Sequence, residues 1–112
     1  MNARIKRLWA ATLRSGEYRK VRSRLALGEN GRCALGVLFE VLIKDGEIPG
    51  LFQDGDAYLW RTERMRSGLD GELKALVGIT EVQQGKVIHD NDAAGLSFSE
   101  IADRIESGSY GI

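Results

Sequence analysis

The sequence predicts a single α+β domain spanning residues 1–112, with about four helices, a buried central helix over 33–44 and a small antiparallel sheet. Three observations lead there. The chain has 112 residues, inside the roughly 50–250 residues of one domain. Residues 33–44 are apolar around most of a helical circumference, as in a helix covered on all sides. Fourteen glycines against one proline are spread through the chain, which divides it into short elements joined by turns.

In residues 2–14, Ile5, Leu8, Trp9 and Leu13 share one helical face and Arg4, Arg7 and Arg14 lie opposite, so the first helix is placed here. Ser15-Gly16 supplies its stop. Residues 18–27 alternate: Val21, Ser23, Leu25 and Leu27 share one parity, and Lys20, Arg22 and Arg24 the other. That is the pattern of a half-buried strand, followed by a turn at Glu29-Asn30-Gly31. Within the 33–44 helix, Cys33, Gly36, Glu40 and Lys44 form the narrow remaining stripe, with Glu40 and Lys44 spaced as an i, i+4 ion pair. Gly36 costs about 1 kcal/mol relative to alanine inside a helix, so the spacing predicts another backbone close by.

Residues 45–55 read as loop, with a turn at Pro49-Gly50, and a strand is expected over 57–62. Leu69, Leu73, Leu76 and Val77 predict a short helix over 69–77, ended by Gly78. Residues 79–89 predict a β-hairpin, with Ile79–Val82 and Lys86–His89 flanking Gln83-Gln84-Gly85. The last helix, 97–107, carries the best local signal. Ser97-Phe98-Ser99-Glu100 is a capping box, Leu96 and Ile101 form a hydrophobic staple, and Phe98, Ile101, Ala102 and Ile105 make an apolar face. Gly108 ends it. The sheet then comprises residues 18–27, 57–62 and 79–89.

Composition narrows the functional classes. Apolar residues make up 43% and charged residues 29%, which suits a globular chain and not a disordered one. No 18 apolar residues run together, so no membrane-spanning helix is expected, and no apolar core follows the basic N-terminus as in a signal peptide. One cysteine makes neither an internal disulfide nor a cysteine-based zinc site, which points to a reducing compartment. The net charge is zero but unevenly placed. Residues 1–32 hold nine Lys/Arg against two acids, and the remainder holds seven against fourteen. Either the two halves neutralise each other across the folded surface, or the basic third meets an acidic partner.

Four constellations are candidates for carrying chemistry. Cys33 begins a helix, where the dipole favours a thiolate. His89, then Asn91 or Asp92, follow in the order of a papain-like thiol hydrolase. Asp90-Asn91-Asp92 with Gly95 begins like a calcium loop, but Ala94 and Ile101 stand where that loop needs ligands, so no metal and no cofactor is expected. Arg19, Lys20, Arg22 and Arg24 could contact phosphates; alternating basic residues also protect an edge strand from aggregation. The last helix resembles the first of a helix-turn-helix, yet only six residues follow Glu106 and the reader helix is lacking.

Three segments together form a pattern: Leu13-Arg14-Ser15-Gly16-Glu17-Tyr18, then Gly31-Arg32-Cys33-Ala34-Leu35-Gly36-Val37-Leu38, then Asn91-Asp92 with Gly95 and Ser97–Ala102. This pattern resembles a group of small uncharacterised phage and prophage proteins. The resemblance implies a phage origin, a cytoplasmic setting in a bacterial host cell, and no particular reaction. It implies that Asn91-Asp92 is a turn starting the last helix and that Gly36 and Cys33 are packing residues. The resulting expectation is a non-enzymatic interaction protein with a protein partner. Nucleic-acid binding through the basic third and a Cys33–His89 thiol hydrolase are the alternatives.

Overall fold

The computed structural model of the chain describes residues 1–46 and 77–112 throughout, and between them the backbone of three short strands. The fold is α+β, as the sequence predicts. Helix α1 is Ala3–Arg14, started by the Asn2 side chain, which accepts from the amides of Arg4 and Ile5. Ile5, Trp9, Ala10 and Leu13 are buried, whereas Leu8, expected on that face, is exposed.

The 18–27 segment is not one strand. It forms β1 (Arg19–Lys20) and β2 (Ala26–Leu27), separated by a loop, and both flank β3 (Gly31–Arg32). β1 runs parallel to β3 and β2 antiparallel, so this sheet is mixed and not purely antiparallel. The strand breaks at Ser23, which takes a left-handed φ of 62°. The alternation in the sequence comes from two anchors, Val21 and Leu25, buried on either side of an exposed loop tip.

Helix α2 is Ala34–Lys44 and is buried at every position from Ala34 to Phe39. Gly36 is required by packing: a Cβ there would stand 1.9 Å from the main-chain oxygen of Leu25. Glu40 pairs with Arg32 and Lys44 with Glu17, not with each other as their spacing suggested.

Strands β4 (Phe52–Asp54), β5 (Ala57–Trp60) and β6 (Glu63–Met65) form an antiparallel meander. β5 lies within the expected strand, and β4 occupies part of the expected loop. The Pro49-Gly50 turn lies outside the described residues, as does the helix over 69–77 except for Val77, which is helical and buried.

The predicted hairpin over 79–89 is instead helix α3, Glu81–Asp92. Thr80 caps the amide of Gln83, whose side chain reaches back to the Thr80 amide, a second capping box. Asn91 and Asp92 therefore close α3. The turn to the last helix falls at 93–96, with Gly95 left-handed. Helix α4, Phe98–Ser107, has the predicted capping box and ends at left-handed Gly108. α1 packs on α4 and α2, and α3 packs on α2 and α4, around Trp9, Phe39, Leu38, Ile101 and Ile105. Among the described residues no helix is long and apolar enough to cross a membrane.

Candidate interaction site

The last turn of α3 holds the fold's main polar junction. Asn91 is 1% exposed. Its Oδ1 accepts from the amide of Ala34 at 3.1 Å, and its Nδ2 donates to the carbonyl of Val21 at 2.9 Å and to Asp92 Oδ1 at 2.7 Å. Ala34 opens α2, so its amide is one of those a helix cannot satisfy internally. The Ala34 carbonyl accepts from Trp9 Nε1 at 2.9 Å, so side chains hold this residue's main chain at both its polar groups. Asp92 Oδ1 also accepts from the amide of Ser23 at 3.1 Å. Together Asn91 and Asp92 fix the loop between β1 and β2, including its left-handed residue.

That loop bears Arg22 and Arg24, and Arg19 and Lys20, the other basic residues singled out from the sequence, form β1 at its edge. They do not line one strand face. Lys20 folds inward, and its Nζ donates to the Leu96 carbonyl at 2.7 Å. Its ammonium is held below its ordinary value, first by burial and then by Arg22. Arg19 lies over Gly31, Arg22 lies beside Gly95, and Arg24 is half-buried above the α2 start. In the rest of the basic third three arginines are paired, while Arg7 is exposed and has no ion pair among the described residues. Arg4 pairs with Asp45, Arg14 with Asp103 and Glu106, and Arg32 with Glu40. Among the described residues, Arg19, Arg22 and Arg24 carry no ion pair, and they stand within six positions of one another.

Cys33 and His89 occupy different places. Cys33 is the N-cap of α2: its Sγ accepts from the amide of Gly36 at 3.4 Å. Burial pushes its thiol up to about 11, opposite to the lowered value a nucleophile needs. It lines a tight cavity with Arg24, Ala34, Leu35, Val87, Ile88, Asn91 and Asp92. His89 is exposed and lines a separate groove between α3 and α4. Among the described residues no cluster of three His, Cys, Asp or Glu could hold a metal.

The sequence reading missed a polar group beneath that groove. Asp90 is 6% exposed, and its Oδ2 accepts from Tyr110 Oη at 2.7 Å and Arg104 Nη1 at 3.2 Å. Burial and then the bond to Asp90 raise the Tyr110 phenol above its ordinary range. The Thr80-x-x-Gln83 capping signature was the available clue, since it places Asp90 one turn after Lys86 on a helix.

The architecture and the junction define a small α+β protein that presents a braced arginine loop. The chain belongs to the DUF8296 family, a domain of unknown function, whose profile matches residues 1–66. No curated protein and no solved structure matches it. The matched part includes the arginine loop and the start of α2.

Proposed function

We propose that the protein is a non-enzymatic interaction protein, of phage type and acting inside the host cell, that docks an acidic surface of a macromolecular partner on Arg19, Arg22 and Arg24. One observation carries this reading: three arginines without ion pairs, Arg19 on β1 and Arg22 and Arg24 on the adjoining loop, whose shape is imposed from beneath by Asn91 and Asp92. Long cationic side chains on a mobile loop lose conformational entropy on binding; a braced backbone lowers that cost. Left-handed Ser23 at the loop tip is a conformation that surrounding structure must enforce, as is common at ligand-contacting segments. The phage setting rests on the sequence resemblance alone.

The guanidinium fork also matches phosphate, which keeps nucleic acid as the second reading. One experiment separates them. Immobilised wild-type protein and an Arg19→Gln/Arg22→Gln/Arg24→Gln variant are exposed to host extract at low salt, with and without nuclease treatment. The expected result is a stoichiometric protein, retained after nuclease, released by salt and absent from the variant. Retention that nuclease abolishes selects nucleic acid. Identical retention by wild type and variant refutes the arginine loop as the site.

A further inference from the structure

The groove between α3 and α4 is open to solvent and offers about 410 Å³, within the roughly 300–1,000 Å³ of small-molecule sites. One wall is a single stripe of α3, Val82, Gly85, Lys86 and His89; the other is Arg104 and Ser109, with Asp90 and Tyr110 beneath. Three features of this groove are unexplained by the fold itself.

The first is Gly85. Glycine inside a helix is destabilising relative to alanine, and at Gly36 packing accounts for it. At Gly85 nothing lies within 4 Å of where a Cβ would stand, so no internal contact demands the missing side chain. Its neighbour Val82 is 69% exposed, the most exposed large apolar residue among those described. The second is Asp90. Both of its hydrogen bonds fall on Oδ2, and Oδ1 of this buried carboxylate receives none from the described residues. That oxygen keeps its full capacity to accept from a bound donor. The third is charge. Lys86 and His89 carry no ion pair among the described residues, and Arg104 has committed only Nη1, to Asp90. Donors for an anion therefore stand beside a single acceptor for a cation, next to the exposed apolar side chain of Val82 on the α3 wall.

We propose that this groove binds a small zwitterion of the apolar α-amino acid class. Its ammonium donates to Asp90 Oδ1, its carboxylate accepts from Lys86, His89 and Arg104, and its side chain lies on Val82 over the open space at Gly85. An anion alone leaves Asp90 Oδ1 without a donor, and an amine alone leaves Lys86 and the free arm of Arg104 without an acceptor. One molecule carrying both groups and an apolar chain answers all three features.

The test is a titration of the full chain with L-valine, L-leucine, L-methionine and L-phenylalanine, followed through its amide resonances. At least one should give saturable shifts confined to residues 82–90 and 104–110. Its two half-analogues, one lacking the amine and one the carboxylate, should bind about tenfold more weakly, because each forfeits charge-assisted hydrogen bonds. Lys86→Gln should weaken binding severalfold without moving the melting temperature. Gly85→Ala should melt no lower than wild type and bind about tenfold more weakly, which distinguishes a ligand-facing glycine from a structural one. The proposal is overturned if none of the four amino acids gives a saturable shift, if the analogue without the amine binds as tightly as its parent, or if Gly85→Ala binds like wild type.

Discussion

Replacing Asn91 by leucine tests the polar junction most directly. Leucine is close to asparagine in size, so it fills the site and admits no water, but it offers neither donor nor acceptor. Two main-chain groups then lose their partners: the Ala34 amide, now 3.1 Å from Oδ1, and the Val21 carbonyl, now 2.9 Å from Nδ2. Each orphaned buried group costs about 1–3 kcal/mol, so Asn91→Leu should destabilise by roughly 2–6 kcal/mol. Against a typical total of about 5–15 kcal/mol, that is a large share. The melting temperature should fall by roughly 10–20 °C, given about 4 °C per kcal/mol for a domain of this size. Asn91→Ala opens space in which a water can replace part of the lost bonding, so it should cost no more than Asn91→Leu. For a purely apolar site the order is the reverse, because the larger side chain buries more surface. Urea unfolding followed by far-ultraviolet circular dichroism gives both values. Asn91→Leu within about 1 kcal/mol of wild type, or clearly more stable than Asn91→Ala, refutes the junction as a load on stability.

Gly36→Ala places a Cβ 1.9 Å from the Leu25 oxygen, a backbone atom that cannot rotate away. It should destabilise by at least about 1–3 kcal/mol, the usual cost of overpacking; equilibrium unfolding checks this, and a stable variant contradicts the close approach. Native Cys33 should resist iodoacetamide at neutral pH and react only on unfolding, because burial lifts its thiol to about 11; stoichiometric alkylation of folded protein, read by mass spectrometry, counts against a buried cap. The folded state holds this proton more tightly than the unfolded state does. The resulting stability is present below the ordinary thiol value of about 9 and is lost as pH rises towards about 11. The difference in unfolding free energy between wild type and Cys33→Ser should shrink over that range.

What the sequence revealed and concealed follows from the kind of signal each element carries. α1, α2 and α4 were legible because their apolar residues recur at helical spacing and, for α4, because Ser97 and Glu100 cap reciprocally. α3 carries an equal cap at Thr80 and Gln83, but Val82, Val87 and Ile88 are β-branched and flank Gln84-Gly85, which reads as a turn between strands. Local propensity lost there to tertiary packing: Val87 is fully buried, and Asn91 ties the helix to Ala34 and Val21. The loop at 21–25 read as strand because two buried anchors four residues apart fit period two as well as they fit a loop pinned at its ends. The partners of Asn91, 57 and 70 positions away, leave no trace in local pattern. The ion pairs across the charge divide are equally distant, as with Arg14 and Asp103.

The misread helix also explains why the cysteine–histidine constellation does not assemble. On an extended strand, residues two apart face the same side, so His89 and Asn91 could have converged on Cys33. On a helix each residue turns the direction by about 100°, and His89 to Asp92 point four ways. His89 meets the open groove, Asp90 the Tyr110 hydroxyl, Asn91 the start of α2, and Asp92 the arginine loop. Cys33 does share its cavity with Asn91 and Asp92, yet Asn91 Oδ1, accepting from the Ala34 amide, and Cys33 Sγ, accepting from the Gly36 amide, are both spent on starting α2. The same rotation gives four adjacent side chains separate tasks. One turn of α3 thereby braces the arginine loop on one side while forming the wall and floor of the groove on the other. Substituting exposed His89 should therefore leave the loop intact, whereas substituting buried Asn91 should disturb both the α2 start and the arginines above it.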